Sequence, residues 1–353
     1  MTAKIFPAFV LISAAAFTAA IRSAAPRLTV PAWQLQKSGT EAGLRGLAVV
    51  DERTAWASGS QGTVLRTVDG GRNWETKAVP GMGRADFRDI EAFDGATAVV
   101  MGIGRPAKIF RTEDGGANWA EVYSSDKPGI FLDALAFAGK LAGWAVGDPI
   151  DGRFVLLRTE DGGKSWRELP PDLCPQAREG EGCFAASGTC LIAQGFSGAS
   201  FCTGGPTARL IRTADGGASW KMVGLPLLSG QPSFGAFGIA FLDGKTGLAV
   251  GGDYRNESAA TGNAAVTSDG GASWTAAGTR PPSGFRECAA FVPGTAAPLA
   301  LAVGPSGSDY SLDAGRTWAP IAGPEGWHSI GVSPDGRCAW AVGKNGLIGL
   351  LRF

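Results

Sequence analysis

The octapeptide Thr67-Val-Asp-Gly-Gly-Arg-Asn-Trp74 decides the fold, because it recurs five more times along the chain. The further copies are TEDGGANW at 112–119, TEDGGKSW at 159–166, TADGGASW at 213–220, TSDGGASW at 267–274 and SLDAGRTW at 311–318. Successive aspartates are separated by 45, 47, 54, 54 and 44 residues; they are Asp69, Asp114, Asp161, Asp215, Asp269 and Asp313. This period is typical of one four-stranded blade of a β-propeller.

Each copy predicts a tight turn between two strands. The aspartate caps backbone N–H groups, the glycines supply positive φ, and the tryptophan begins the next strand and packs its apolar ring against its neighbours. A calcium loop would need several oxygen side chains at alternate positions, whereas each copy offers one carboxylate reliably. We therefore predict a structural turn and no metal site.

Strand patterns around the octapeptides predict how the ring closes. Before the first copy, Leu47–Val50, Thr54–Ser58 and Thr63–Arg66 indicate three strands, and the segment after the tryptophan gives a fourth. The C-terminal stretch Gly331–Leu350 provides three strands without a following tryptophan, while Trp33–Lys37 provides a fourth with nothing before it. The sequence therefore predicts an all-β, seven-bladed propeller over residues 26–353, closed by the N-terminal strand completing the last blade.

The N-terminus, Met1 to about Ala25, predicts an export signal. Lys4 precedes the apolar run Ile5–Phe17, and Thr18-Ala19-Ala20 offers a cleavage site. The run is too short to span a bilayer. We therefore expect an exported protein, periplasmic or extracellular, with no stable membrane insertion after cleavage.

Composition excludes several classes of function. The 54 glycines among 353 residues, without a Gly-X-Y period, fit many short strands and tight turns. The balance of 32 basic and 32 acidic residues gives no net attraction to nucleic acid. The single histidine, His328, removes every scheme that needs two histidine ligands. We expect no cofactor.

The six cysteines predict disulfides in an oxidising compartment. Cys190 and Cys202 each lie six residues from position 196, so a hairpin centred there places them opposite each other. Cys174 and Cys183 then pair within an insertion at about 171–185, in front of blade four. The remaining two, Cys288 and Cys338, form either a third pair or two buried free thiols.

The octapeptide resembles the Asp-box, or bacterial neuraminidase repeat. The longer phrase Gly143-Trp-Ala-Val-Gly147 followed by LRTEDGGKSW at 157–166 is similar to the repeat of the photosystem II assembly and stability factor family. The resemblance spans about residues 33–353 and implies a seven-bladed propeller that is exported and binds another macromolecule. Asp-box propellers include sialidases, xyloglucan-active glycosidases, sorting-receptor ectodomains and non-enzymatic assembly factors, so the site must decide the function.

The face opposite the Asp-box turns is the predicted location of a functional site. Aligning the starts of the innermost strands places Arg45, Arg88, Arg286 and His328 in one column, and Asp89, Asp133 and Glu287 in the next. Loops on the same face add further candidate binding residues, namely Asp148, Asp253, Tyr254, Arg255, Asp309 and Tyr310. These charges form either a binding site or ion pairs that line the channel. The insertion would overhang this face as a lid, a partner-contact loop or a pinned surface loop.

Two functions fit these residues. We expect a monomeric, non-catalytic binding or assembly scaffold whose partner, a protein or a glycan, binds the face opposite the Asp-boxes. The alternative is a sialidase-like or glucan-active glycoside hydrolase, because three arginines, Tyr254, Glu287 and Asp133 match the residue types that a sialidase uses. Converging arginines with a tyrosine next to a carboxylate would favour the enzyme, and salt-bridged arginines would favour the scaffold.

Overall fold

The computed structural model describes Met1 and residues 32–353, so the predicted export signal lies, apart from Met1, outside the described residues. Within this part, 28 strands form seven four-stranded antiparallel sheets. Two short 3₁₀ segments, Pro171–Leu173 and Lys344–Gly346, are the helical elements of the described chain. No helix among the described residues is long and apolar enough to cross a membrane.

Blades 1 to 6 follow the chain from the innermost to the outermost strand, and the first strands of neighbouring blades pack around the centre. The strand β1 (Gln34–Gln36) precedes them. Blades 1 to 3 comprise β2 (Leu44–Val49), β3 (Ala55–Gly59), β4 (Val64–Thr67), β5 (Glu75–Thr76), β6 (Asp86–Ala92), β7 (Ala98–Ile103), β8 (Ala107–Thr112), β9 (Ala120–Ser125), β10 (Leu132–Ala138), β11 (Ala142–Ile150), β12 (Arg153–Thr159) and β13 (Arg167–Glu168).

Blades 4 to 6 repeat the same arrangement, and blade 7 begins near the C-terminus. Blades 4 to 6 comprise β14 (Leu191–Gln194), β15 (Gly198–Cys202), β16 (Arg209–Thr213), β17 (Lys221–Gly224), β18 (Phe234–Phe241), β19 (Gly247–Asp253), β20 (Ala264–Thr267), β21 (Thr275–Ala276), β22 (Cys288–Phe291), β23 (Ala300–Gly304), β24 (Gly307–Ser311) and β25 (Ala319–Ile321). Blade 7 contains β26 (Trp327–Val332), β27 (Cys338–Gly343) and β28 (Ile348–Arg352).

The seventh blade is completed by β1, which pairs antiparallel with β28 through Gln34↔Leu350, Leu35↔Gly349 and Gln36↔Ile348. The predicted seven-bladed propeller and its closure by the N-terminal strand are therefore confirmed. Pairing β1 with β28 covers the outer edge that blade 7 would otherwise expose.

The Asp-box turns have the predicted structure. In all six, Oδ1 of the aspartate accepts the backbone N–H of the residue four positions later, at 2.8–3.1 Å. It also accepts the hydroxyl of the threonine or serine two positions earlier. Gly70 and Gly71 in the first turn have φ of 78° and 77°, which a glycine adopts without strain.

These hydrogen bonds stabilise the charged form of the carboxylate. The backbone N–H of Asn73, followed by its side-chain amide, lowers the pKa of Asp69 to about 2. The matching contacts from Asn118 lower the pKa of Asp114 to about 2. The aspartates are therefore occupied by their own turns, which accounts for their recurrence as an element of the fold.

The predicted hairpin register in blade 4 is confirmed, but the predicted disulfides are wrong for this structure. Leu191 pairs with Phe201 and Gln194 with Gly198, which places Cys190 opposite Cys202. The two cysteines occupy a hydrogen-bonded position, since the N–H of Cys202 donates to the carbonyl of Cys190 at 2.8 Å. Opposed Cβ atoms at such a position lie about 5.5 Å apart, whereas a disulfide needs about 3.5–4.5 Å.

All six cysteines are buried free thiols. Cys174 does not meet Cys183, because its thiol points to the carbonyls of Pro170 and Leu169 at 3.5 and 3.8 Å. The thiol of Cys288 accepts the N–H of Ile330 at 3.4 Å, and Cys338 packs in the core between blades 7 and 1. For the last two cysteines the structure corresponds to the free-thiol alternative.

Replacing Asp161 with alanine is expected to destabilise the protein by about 1–3 kcal/mol, because it strands the N–H groups of Lys164 and Ser165. The free energy of unfolding is measured by urea titration. Glu160→Ala is the matched control: its carboxylate makes only a surface ion pair with Arg158, so we expect a change within about 0.5 kcal/mol. Equal stabilities of the two variants would contradict the structural role of the Asp-box.

Candidate functional site

The mouth of the central channel opposite the Asp-boxes is shaped by a repeated β-bulge. In five blades, the pairing of the innermost strand with the second strand shifts by one residue near its start. The extra residues are Arg45, Arg88, Asp133, Phe237 and His328. A bulge re-aims a side chain, so these residues form one structural set around the mouth.

The bulges correct the predicted alignment. Arg45, Arg88 and His328 share a column as predicted, but Asp133, predicted one column later, belongs to the same set. In blade 6 the residue near them is Glu287, not Arg286. Arg286 is fully buried inside its own blade, where its Nε donates to Asp309 Oδ2 at 2.7 Å and its other nitrogens bind Ser283 and Ser306. A register slip of one residue exchanges inward and outward side chains, which explains the error.

The segment that follows the predicted insertion, in front of the first strand of blade 4, covers the mouth. Residues 184–189, here called the plug segment, contact blades 1, 2, 5, 6 and 7. Four of its carbonyls accept hydrogen bonds from other blades: Ala185 from Arg88 (2.7 Å), Ala186 from Arg45 (3.2 Å), Ser187 from Ser329 (3.3 Å) and Thr189 from the N–H of Ile239 (3.0 Å). The hydroxyl of Ser187 also donates to the carbonyl of Glu287 (3.2 Å).

Gly188 is required where the plug segment enters the channel. Its φ is 79°, and a Cβ there would lie 2.2 Å from Oδ1 of Asp89. The sequence prediction missed this segment as part of the site. The available signals were the small residues Ala185-Ala186-Ser187-Gly188 and the departure of blade 4 from the repeat.

The arginines at the mouth are paired but remain partly exposed. Oε2 of Glu287 contacts two of these residues: it lies 3.5 Å from Nη1 of Arg45 and 2.9 Å from Nδ1 of His328. Nε of Arg88 donates to Asp86 at 2.8 Å. The Arg45 and Arg88 side chains keep 26% and 23% of their surface exposed, so each can offer further donors to a ligand.

Four aromatic rings, here called the aromatic shelf, adjoin these charges: Phe184, Phe237, Phe285 and Tyr254. Phe184 of the plug segment stacks on Phe237 with ring centroids 3.9 Å apart, and Phe285 meets Phe237 edge-on at 4.6 Å. Tyr254, 41% exposed, contacts both Phe184 and Phe237. Arg45, Arg88, Glu287, His328 and this shelf line one cavity of about 280 Å³.

Asp89 supports the ring of blades beneath this cavity. Its two oxygens accept the N–H groups of Ile90 and, in the next blade, Leu135 at 2.8 and 2.7 Å. Burial raises the pKa of Asp89 to about 7. It therefore joins two innermost strands and is not a freely accessible ligand group.

Two further carboxylates, Asp133 and Asp148, lie near the start of the plug segment. Asp133 is 1% exposed, and neither of its carboxylate oxygens has a hydrogen-bond partner in the described part of the chain. Burial, followed by the charges of Asp148 and Cys190, holds the pKa of Asp133 well above its usual range. Oδ1 of Asp148 accepts the N–H of Cys183 at 3.2 Å. Residues 32–353 contain no group of three or more His, Cys, Asp or Glu arranged to hold a metal ion.

The other candidate residues divide between the face and the core. Asp253 caps its own turn through the N–H of Arg255, and the Arg255 guanidinium lies 5.9 Å from the ring of Tyr254. Asp309 and Tyr310 belong to β24 and not to a loop, because the connection before β24 is only Pro305-Ser306. Asp309 is committed to Arg286, and Tyr310 pairs with Leu301 and Ala319.

These features define the class of the protein: a seven-bladed Asp-box propeller whose channel mouth is covered by the plug segment of blade 4. Residues 25–131 match the family model described as "Photosynthesis system II assembly factor YCF48". This confirms the resemblance to the photosystem II assembly factor repeat that the sequence indicated.

Solved structures with the same fold cover nearly the whole chain. "YCF48 bound to D1 peptide" has a TM-score of 0.64 at 17% identity, over 92% of this chain and 99% of that chain. "YCF48 from Cyanidioschyzon merolae" has a TM-score of 0.64 at 18% identity, over 91% and 99%. "Structure of U3-55K" has a TM-score of 0.62 at 12% identity, over 91% and 98%. No curated protein sequence matches the chain.

Asp133→Asn is expected to stabilise the protein in a pH-dependent way. Because burial raises the pKa of Asp133 above its unfolded value near 4, the wild type loses stability as the pH rises from about 4 through the folded-state pKa. The variant and the wild type should have equal Tm near pH 4, and the variant should gain roughly 2–4 °C at about pH 8. The exposed Asp126→Asn serves as the control; a Tm gain independent of pH would refute the assignment.

Proposed function

We propose that this protein is a non-catalytic binding scaffold that holds a segment of a partner protein on the face opposite the Asp-boxes. The observation that carries the proposal is the cavity in which the part-exposed Arg45 and Arg88 adjoin the aromatic shelf of Phe184, Phe237 and Tyr254. Cavities that combine aromatic walls with a few converging charged groups are typical of binding sites.

The chemistry of this cavity favours a peptide. Arg45 and Arg88 already bind the main-chain carbonyls of Ala185 and Ala186, so they are placed to recognise carbonyl or carboxylate oxygens of an adjacent chain. The shelf offers apolar rings on which a side chain of the partner can pack. A propeller of similar fold is recorded as "YCF48 bound to D1 peptide", which supports a peptide ligand here.

The arrangement does not favour the glycoside hydrolase alternative. Its three arginines would have to converge on one ligand, but Arg286 is enclosed with Asp309 inside blade 6. Arg45 and Arg88 are salt-bridged to Glu287 and Asp86. The carboxylate of Glu287 is engaged by His328 and Arg45, and Tyr254 contacts Phe184 through its ring, whereas a tyrosine nucleophile would need a carboxylate beside its hydroxyl.

We further propose that the protein acts as a monomer after export. Residues 1–25 support export by their basic start, short apolar run and small-residue cleavage site. The ring leaves no unpaired end blade that would need a second copy. N-terminal sequencing of protein recovered from the cell envelope should begin near Ile21; an intact Met1 would contradict export by cleavage.

Binding is tested with a displayed library of random peptides selected on the wild-type protein. Enriched peptides should carry a carboxylate next to an apolar residue, because they must match the arginines and the shelf. In fluorescence anisotropy, Arg88→Ala and Tyr254→Ala should each weaken binding by about tenfold or more, as expected for hot-spot residues. Arg72→Ala, an exposed arginine within an Asp-box, is the matched control and should bind normally.

Two outcomes would overturn the proposal. One is the absence of enriched peptides, or binding that Arg88→Ala leaves unchanged. The other is hydrolysis of aryl glycosides by the wild type that Glu287→Gln abolishes, which would restore the glycoside hydrolase.

A further inference from the structure

Three thiols lie together at the base of the plug segment. Cys183, Cys190 and Cys202 belong to one core cluster between blades 3, 4 and 5. Gly182 pairs with Gly204 through an isolated β-bridge, and Cys190 lies opposite Cys202, two residues before Gly204 on the same edge. The chain therefore leaves and rejoins this edge at neighbouring positions, which brings Cys183 close to Cys190. Cys190 is thus the shared neighbour of the other two.

The cluster is coupled to the plug segment by the chain itself. Cys183 directly precedes Phe184, and Cys190 directly follows Thr189, so the two thiols flank the segment whose carbonyls bind Arg45 and Arg88. Linking them would close a loop around six residues. Such a link would restrict the segment in every state in which it is detached from the mouth.

Of these three cysteines, only Cys183 keeps any exposed surface. Cys183 is 6% exposed and lines a cavity of about 510 Å³ together with Asp148 and residues 177–182 of the insertion, whereas Cys190 and Cys202 are 0% exposed. A small disulfide oxidant can therefore approach Cys183, and Cys190 is the thiol placed to resolve the adduct.

We propose that Cys183 and Cys190 form a reversible disulfide that fixes the plug segment across the channel mouth. The Cys183 thiolate attacks one sulfur of a low-molecular-weight disulfide, forms a mixed disulfide and releases one thiolate of the oxidant. Cys190 then loses its proton and attacks the Cys183 sulfur, which releases the second thiolate. Two thiols of the protein are oxidised to one disulfide, and the oxidant is reduced to two thiols.

The surroundings of Cys183 agree with such a disulfide. Burial, followed by Cys190 and the carboxylates Asp133 and Asp148, raises the pKa of Cys183 well above its usual value. The reduced form is therefore not stabilised as a thiolate, and this favours the disulfide at equilibrium while slowing its formation at neutral pH.

The test oxidises the folded, full-length protein with oxidised glutathione at about pH 8, where more thiolate is present. Non-reducing peptide mapping should find Cys183 linked to Cys190. Hydrogen–deuterium exchange of the amides of residues 184–189 should slow by roughly tenfold or more, and dithiothreitol should reverse both changes. This last comparison uses the wild type alone, so it does not depend on the folding of a variant.

Variants separate this linkage from its alternatives. Cys174→Ser and Cys202→Ser should retain the linkage, because both thiols lie outside it, and Cys190→Ser should stop at the glutathione adduct of Cys183. A Cys190–Cys202 linkage, a stable adduct in the wild type, unreacted thiols or unchanged amide exchange would each overturn the proposal. None of these measurements uses a partner, so their outcome is independent of the proposed peptide binding.

Discussion

The pairing of β1 with β28 is the contact on which the closed ring depends. Trp33, directly before β1, reaches beyond blade 7: its indole donates to Ser308 of blade 6 at 3.0 Å and packs 4.8 Å from Trp327. Gln36 binds the indoles of Trp74 in blade 1 and Trp340 in blade 7, and its amide donates to Gly70 in the first Asp-box. Residues 33–36 thus join three blades, and the innermost strands keep their places only while the ring stays closed.

The closed ring fixes the positions of the innermost strands, and the bulges convert those positions into a site. Because the bulge occurs at the same place in five blades, chemically different residues occupy equivalent positions around one mouth. Blades 4 and 6 have no such bulge in their registers, and blade 4 supplies the plug segment instead. The repeat thus provides the frame, and the plug segment of blade 4 completes the surface.

The plug segment decides what kind of ligand the mouth can accept. With the channel covered, the mouth presents a shallow surface of guanidinium groups, plug carbonyls and aromatic rings in place of a deep pore. Main-chain carbonyls already satisfy part of the hydrogen-bonding capacity of Arg45 and Arg88. Under the proposed function, a ligand uses the remaining donors or displaces residues 184–189.

The sequence by itself determined the repeat, the Asp-box turns, the number of blades, the closure by β1 and the hairpin register of blade 4, because these follow from local turn chemistry and a fixed period. It also placed Arg45, Arg88, Glu287 and His328 near one mouth. Only the tertiary structure decided that Arg286 turns into its own blade and that no disulfide joins Cys190 to Cys202. A bulge changes the direction of a side chain, and a hydrogen-bonded pair position increases the distance between opposed side chains, and neither alters the sequence spacing. The plug segment likewise depends on contacts with blades distant in sequence, which no local pattern encodes.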